Sequence, residues 1–228
     1  MTDRAKAFRS HNIRAFLDGR KTMFREPITR VHRAYGVYCN GPITEFGPSD
    51  TAGYDWHFRD KEKRWHDLRH EQLLKVLPYR PDDHIWVRET WKPTGLFSFM
   101  DATETKACGR FAYQADVAQL PRDASLSWRG PITMPRWASR LTLVVTGVKV
   151  ERLQSISEAD AKAEGIYLFD CEGGGYKFAP CEQEFDTAPE AFADLWESIN
   201  GAGSWQVNPY VAAYTVEVKQ CNIDSLVR

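Results

Sequence analysis

The sequence has few cysteines and no long apolar run. Its 228 residues include five cysteines, at positions 39, 108, 171, 181 and 221, with neither paired spacing nor a C-x-x-C motif. This usage is typical of free thiols in a reducing compartment and argues against a disulfide-rich secreted protein. The N-terminus lacks the apolar core of a signal peptide, and the longest apolar run, residues 141–148, is too short to span a bilayer. The sequence therefore predicts a cytoplasmic protein that does not enter a membrane.

The sequence also lacks the glycines of a phosphate-binding loop. Residues 16–26 read FLDGRKTMFRE, in which Lys21 and Thr22 resemble the end of the G-x-x-x-x-G-K-[ST] motif. Ala15 and Arg20 occupy the two glycine positions, and their Cβ atoms would obstruct the close approach of a phosphate to the backbone. We therefore predict no nucleoside-triphosphate site and no cofactor.

Metal-ligand patterns are equally scarce. His66 and His70 have the i, i+4 spacing of a helical metal site, but the glutamate of H-E-x-x-H is absent from this stretch. The sequence predicts no metal site.

What the sequence does have is a large apolar content and a segregated charge. Hydrophobic residues make up 43% of the chain and aromatic residues 13%, which is enough for a substantial core. The formal charge is only −1, yet residues 1–33 contain nine Lys or Arg and three Asp or Glu, whereas residues 151–200 contain three and twelve. Segregation of this kind favours one local anion-binding face over a uniformly basic surface.

Hydrophobic periodicity and turn residues predict an α+β fold that is mainly β. Strands are predicted at residues 21–28, 83–91, 110–114, 140–153 (bending at Gly147) and 210–219, and helices at 9–18, near 68–77, from Ser157 and near 189–199. Curved strands interleaved with short helices, without a βαβ rhythm, indicate a small β-barrel decorated by helices. We predict a single domain over residues 1–228, with irregular insertions near 31–80 and 93–133.

Four ordered blocks carry a resemblance to a known family. They read LDGRKT near the start, HIWVRETW after the first insertion, MPRWASRLTLVVTGVKVERLQSISEADAKAEGI in the middle and FADLWESINGAGSWQVNPYVAAYTVEV at the end. Together they are similar to the phage and prophage branch of the ASCH-domain family. The resemblance implies a PUA-like β-barrel, recognition of RNA or modified bases, and a cleft between the barrel and the helix that precedes GRKT.

The same resemblance implies candidate catalytic residues. One small bacterial ASCH protein is an amidohydrolase that acts on N4-acetylcytidine through a lysine, a threonine and a glutamate. The lysine matches Lys21 and the glutamate matches Glu164, but Phe24 stands where that enzyme has its threonine, which leaves Thr22 as the nearby hydroxyl. If one cleft unites these blocks, we expect Lys21 and Glu164 to approach within about 6 Å, close enough for each to perturb the other's pKa.

The position of Glu164 in its helix is a second reason to consider it a candidate site residue. Ser157 and Gly165 mark the start and the end of a short helix, so Glu164 lies in its last turn, where the helix dipole disfavours an anion. A carboxylate in a position that is electrostatically unfavourable within its own helix is more frequent at functional sites than elsewhere. An exposed glutamate nevertheless tolerates such a position at little cost.

A second group of candidates lies in the HIWVRETW and MPRWASR blocks. Period-2 alternation places Glu89 and Trp91 on one face of their strand and Arg88 on the other. A buried Glu89 would need an arginine partner, so a structural ion pair is the alternative to a ligand contact. Arginine beside tryptophan suits a base with its phosphate, although a tryptophan is more often part of the core. The candidates are Arg88, Glu89, Trp91, Arg136, Trp137 and Arg140.

Three functions remain open from the sequence. The first is a cleft in which Arg20, Lys21 and Arg25 face an anionic ligand, namely RNA, single-stranded nucleic acid or a modified nucleoside. The second is a hydrolase, either an amidohydrolase on N4-acylated cytidine or a ribonuclease, with Lys21, Thr22 and Glu164 as the catalytic residues. The third is a phage accessory protein that binds a host protein through the acidic residues 151–200.

Overall fold

The fold is described from a computed structural model. It covers residues 3–31, 41–93, 111–119, 127–169, 174–179, 181 and 183–226. These residues form a mixed structure of several sheets and four α-helices, so the predicted α+β class, mainly β, is confirmed.

The helices and strands have the following bounds. The helices are α1 (Ser10–Leu17), α2 (His70–Val76), α3 (Glu158–Ala163) and α4 (Ala188–Asn200). The strands are β1 (Asp3–Ala7), β2 (Met23–Pro27), β3 (Arg30–Val31), β4 (Gly41–Pro48), β5 (Trp56–Asp60), β6 (Trp65–Leu68), β7 (His84–Arg88), β8 (Trp91–Pro93), β9 (Phe111–Tyr113), β10 (Thr142–Arg152), β11 (Tyr167–Phe169), β12 (Gly175–Lys177) and β13 (Tyr210–Lys219).

A five-stranded sheet in the order β1-β7-β10-β13-β2 forms the centre of the molecule. The β1–β7 pair is parallel and the other three pairs are antiparallel. The β10–β13 pairing shifts register between Val145 and Gly147, as at a β-bulge, at the position where the sequence predicts a bend. The main core, which includes Phe16, Phe24 and Tyr214, packs against this sheet.

The central sheet does not close into a barrel. In the described residues β1 and β2 are its two edge strands, and they face each other through side chains rather than through backbone hydrogen bonds. Lys6 of β1 forms an ion pair with Glu26 of β2, and the rings of Phe8 and Phe24 lie 5.6 Å apart. Charged side chains and the proline at the end of β2, which lacks an N–H, are typical of strands that do not pair at an edge. We call the gap between β1 and β2 the seam.

Helices α1 and α4 flank this region and form as predicted. In α1, Ile13 and Phe16 are fully buried, and Gly19 follows the helix with a φ of +71°. The helix begins after Arg9 without a side-chain cap. Helix α4 begins at a capping box between Thr187 and Glu190 and buries Phe192, Leu195 and Trp196 in a second apolar cluster.

The insertion predicted near residues 31–80 is not irregular between residues 41 and 76. Strands β3, β4, β5 and β6 form a four-stranded antiparallel sheet, and α2 follows it as predicted. The alternation was hidden because β4 contains two prolines, two glycines and a register shift between Ile43 and Glu45.

The longest α-helix of the described residues, α4, has 13 residues, and no described helix is both long and apolar enough to cross a membrane.

Candidate functional site

A cleft of about 300 Å³ opens at the seam, between the two edge strands and helix α4. Its lining residues come from every element that meets there. They are Lys6, Ala7, Phe8, Arg9, Asn12, Lys21, Phe24, Arg25, Glu26, Pro27, Glu164, Phe192, Leu195, Trp196, Ile199 and Asn200. Lysine, arginine and glutamate therefore share the cleft with aromatic rings.

Lys21 and Glu164 form a buried ion pair in this cleft. The Lys21 ammonium donates to Glu164 Oε2 at 2.7 Å and to the Glu164 backbone carbonyl at 2.7 Å, and both side chains are only 4% exposed. The expected approach within about 6 Å is therefore confirmed. The pair is held by the backbone, since residues 21 and 164 form an isolated β-bridge and the Thr22 N–H donates to the Ala163 carbonyl at 2.8 Å.

A glycine allows the two segments to approach. Gly165 follows the C-cap residue Glu164 with a φ of +103°, a conformation that favours glycine. A Cβ atom at this position would also lie 3.3 Å from the Cβ of Ala15 and 3.6 Å from the Cβ of Lys21. The glycine predicted as a helix stop is thus also the point of contact between α1 and the end of α3.

Arg25 extends the ion pair into a network with three carboxylates. Its side chain is fully buried and donates to Glu164 Oε1 at 2.9 Å, to Glu151 Oε1 at 2.9 Å and to Asp160 Oδ2 at 3.1 Å. Lys149 contacts the last two carboxylates at 2.6 and 3.2 Å. Burial acts to raise the pKa of Asp160, but the hydrogen bond from Lys149 and the charge of Arg25 outweigh it and hold that pKa below its ordinary value.

This network joins the basic N-terminal segment to the acidic segment, residues 151–200. Lys21 and Arg25 belong to the basic N-terminal segment, whereas Glu151, Asp160 and Glu164 belong to the acidic segment. The two segments neutralise each other inside the molecule instead of forming separate anion-binding and acidic faces at these positions. The sequence showed the segregation but could not show that the segments meet.

A second lysine and glutamate face each other across the seam. Lys6 pairs with Glu26, and its ammonium lies 5.0 Å from the ring centroid of Phe24, 5.3 Å from that of Phe8 and 5.9 Å from that of Tyr79. Burial, together with the charge of Lys21, lowers the pKa of Lys6 to about 8, and the charge of Glu164 acts in the opposite direction. Sequence reasoning missed this pair, since a five-residue strand with two basic residues carries no signal of a binding site.

Two ring nitrogens near the lysines lack a hydrogen-bond partner among the described residues. They are His11 Nε2 and Trp196 Nε1, the second belonging to a residue that lines the cleft. Burial, together with the charges of Lys21 and Arg9, lowers the pKa of His11 to about 4. The imidazole is therefore neutral at physiological pH.

Two of the predicted residues near Lys21 do not line the cleft. Thr22 is exposed, and Arg20 instead pairs with Asp18 at 2.8 Å and lies over the ring of Tyr167 at 4.9 Å. Phe24, at the position of the amidohydrolase threonine, is a core residue that also lines the cleft. Among the residues that the structure describes, no serine, threonine or cysteine lines the cleft.

The second group of candidates does not meet this cleft. None of Arg88, Glu89, Trp91, Arg136, Trp137 and Arg140 lines it. The ion pair considered as an alternative for Glu89 is present: Arg140 donates to Glu89 Oε1 at 2.8 Å and Oε2 at 2.9 Å, and also binds Asp116 at 2.8 Å. Burial raises the pKa of Glu89, although its hydrogen bonds with Arg140 act in the opposite direction.

The remaining members of this group also have structural contacts. Trp91 is fully buried and packs edge-to-face on Trp137, with ring centroids 6.4 Å apart. Arg136 pairs with Asp3 at 2.7 Å and with Asp224 at 2.9 Å. Arg88 lies over the ring of Trp86 at 4.5 Å.

The two histidines with helical spacing have other partners. His66 Nε2 lies 2.9 Å from Asp60 Oδ2, and the Trp56 indole N–H donates to His70 Nδ1 at 3.2 Å. Across the ranges that the structure describes, no group of three or more His, Cys, Asp or Glu side chains is arranged to hold a metal ion.

The cleft thus combines an apolar, aromatic wall with two lysine–glutamate pairs that can donate and accept hydrogen bonds. Comparisons of the chain with protein-family models, with curated proteins and with solved structures found no match.

Proposed function

We propose that this protein binds a nucleoside, either free or as an unstacked base of a single-stranded nucleic acid, in the seam cleft. The observation that carries the proposal is the combination, in one cleft of about 300 Å³, of aromatic side chains with the buried Lys21–Glu164 pair. Ligand pockets of this size are mostly apolar and contain a few fixed polar groups that orient the ligand.

The aromatic lining supports a planar ligand. Phe8, Phe24, Phe192 and Trp196 contribute to the cleft. Stacking of a base on an aromatic side chain contributes about 1–3 kcal/mol and tolerates different bases. A heterocyclic ring therefore matches the apolar part of the cleft better than a flexible aliphatic chain does.

The charge pairing predicts that phosphates contribute little to the affinity. Lys21 and Arg25 already contact carboxylates, and Arg9 at the cleft donates to the Ser198 carbonyl at 3.3 Å. Each phosphate contact with a single strand changes the slope of log K against log salt by about −0.7. We therefore expect a slope of about −1, from one or two contacts, rather than the steep dependence of a basic nucleic-acid-binding surface.

Fluorescence anisotropy with labelled single-stranded RNA and DNA, over a salt series, tests the proposal, and calorimetry with free nucleosides accompanies it. Lys21→Met combined with Glu164→Gln removes both charges of the pair together and is expected to weaken binding. Failure of every nucleoside and oligonucleotide to bind at low salt would refute the proposal.

A hydrolase is the second candidate, and the observation that favours it is the presence of two lysines, Lys6 and Lys21, in the same cleft. Lys6 has a pKa of about 8, close to the range useful for proton transfer, and it shares the cleft with Lys21 and Glu164. Since no serine, threonine or cysteine of the described ranges lines the cleft, the attacking group in this candidate would be a water molecule. Incubation with N4-acetylcytidine and with labelled RNA, followed by chromatography, tests this candidate, which requires turnover that disappears in Lys21→Ala and in Glu164→Ala.

A further inference from the structure

We infer that Lys6 and Glu26 are the specificity-determining pair of the cleft, and that they bind a heterocyclic edge on which a hydrogen-bond acceptor stands beside an N–H donor. This inference rests on the proposed function and specifies the ligand class of the same site. The carbonyl and the ring N–H of a uracil-type base form such an edge.

The two lysine–glutamate pairs differ in their access to a ligand. The Lys21 and Glu164 side chains are 4% exposed, whereas those of Lys6 and Glu26 are 16% and 29% exposed. Lys21 also donates to the Glu164 carbonyl, and Glu164 also accepts from Arg25, so both members of the buried pair have further partners. The seam pair is therefore the one that a ligand entering the cleft reaches with less desolvation.

The chemistry of the pair defines the ligand edge. A lysine ammonium has three donors and no acceptor, and an ionised glutamate has acceptors only. A ligand that inserts between Lys6 and Glu26 must therefore offer an acceptor to the first and a donor to the second, side by side. If the ligand lacks either one, a partly buried charge is left without a partner, which lowers the affinity.

The surroundings of the pair favour a flat ligand. Lys6 lies at 5.0–5.9 Å from three ring centroids, those of Phe8, Phe24 and Tyr79, so that the polar pair is set among aromatic rings. An aromatic environment excludes water from the hydrogen bonds that the pair forms and strengthens them. A planar heterocycle satisfies the apolar rings and the polar pair at the same time.

Protonation of Lys6 makes recognition dependent on pH. The charged or titratable groups near the ammonium are Glu26 on β2, Lys21 and Glu164 in the cleft, and Tyr79 before β7. Arg9 and Arg25 also line the cleft. With a pKa of about 8 in the free protein, Lys6 loses its proton above this value and no longer carries the charge that binds the acceptor. Affinity is expected to fall by up to about tenfold for each pH unit above 8.

Calorimetric titration of the full chain with uridine and with N3-methyluridine tests the inference, because the methyl group removes the donor and leaves the ring intact. We expect the wild type to bind uridine at least tenfold more tightly than N3-methyluridine. Lys6→Met and Glu26→Gln are each expected to abolish this preference, and Lys6→Met to remove the fall in affinity that begins near pH 8, before the ring N–H of uridine itself ionises.

A matched control is available on the same sheet. Lys219 and Glu217 form an exposed pair on β13, outside the cleft, and Lys219→Met and Glu217→Gln are expected to leave both the preference and the pH dependence unchanged. Thermal unfolding establishes that each variant is folded. If Lys6→Met does not fold, Glu26→Gln, whose side chain is more exposed, provides the same comparison of the two nucleosides.

Two different results would overturn the inference. If nucleosides bind but Lys6→Met and Glu26→Gln keep the wild-type preference, the pair is structural, while the proposed function stands. If neither nucleosides nor oligonucleotides bind to the wild type, the proposed function fails and the inference fails with it.

Discussion

Glu164 illustrates how a residue that is unfavourable in its own helix can be stabilised by the rest of the molecule. It follows the last residue of α3, where the helix dipole opposes a negative charge. Lys21 and Arg25 both bind its carboxylate, so tertiary contacts outweigh a local effect of some tenths of a kcal/mol. The unfavourable position was visible in the sequence, but its compensation depends on residues that are about 140 positions away.

The first prediction compares the two members of this pair. Glu164→Gln leaves both Lys21 and Arg25 without their shared anion and is expected to lower the free energy of unfolding by about 3–5 kcal/mol. Lys21→Met is expected to cost less, because Glu164 keeps its contact with Arg25. Urea denaturation of the three proteins measures the difference, and an equal or larger loss for Lys21→Met would contradict it.

The second prediction concerns Lys6 and pH. Its pKa falls from an ordinary value of 10.5 to about 8 in the folded protein, so between these values the unfolded chain binds more protons than the native one. The free energy of unfolding therefore gains a contribution from Lys6 as pH rises through this window, on the order of 2 kcal/mol between pH 8 and 10.

Denaturation of wild type and Lys6→Met at both pH values isolates this contribution, since tyrosines and the other lysines titrate in both proteins. Lys219→Met is expected to behave as the wild type does. The same pH dependence in Lys6→Met as in the wild type would show that Lys6 is not the titrating group.

At the scale of elements, the end of α3 depends on Gly165. The third prediction is that Gly165→Ala destabilises the protein by about 1–3 kcal/mol through backbone strain, with an added cost because its Cβ would lie 3.3 Å from that of Ala15. Gly19→Ala is the matched control: its φ of +71° is also strained, but no atom lies within 4 Å of the added Cβ. Equal losses in the two variants would mean that the close approach of the two segments has no energetic role.

The elements show what the sequence could and could not predict. Helices α1 and α4 and strands β10 and β13 have strong periods and clear end signals, and they were predicted. Strand β1 was missed because its five residues, DRAKA, have little apolar character and are stabilised by parallel pairing with β7, a long-range contact. The candidate site divides in the same way: Lys21 and Glu164 were identified, whereas Lys6 and Glu26 meet only because two edge strands come together.

At the scale of the whole molecule, the central sheet remains open where the family resemblance implied a closed barrel. The fourth prediction is that a bound nucleoside slows amide hydrogen exchange in β1 and β2, the strands on either side of the seam, more than in the β4–β6 sheet. Hydrogen exchange with and without uridine measures this. Protection confined to the β4–β6 sheet would place the ligand elsewhere.

The open seam has a mechanical consequence. Because the cleft lies between the two ends of one continuous sheet, its width depends on how strongly the intervening strands coil, including the register shift next to Gly147 in β10. A ligand that contacts both β1 and β2 would stabilise one curvature of the sheet. By reciprocity, a change in the curvature of the sheet would alter the affinity for that ligand without changing any residue that contacts it. If the cleft binds a ligand as proposed, substitutions at the register shift in β10, whose residues do not line the cleft, are expected to change its affinity.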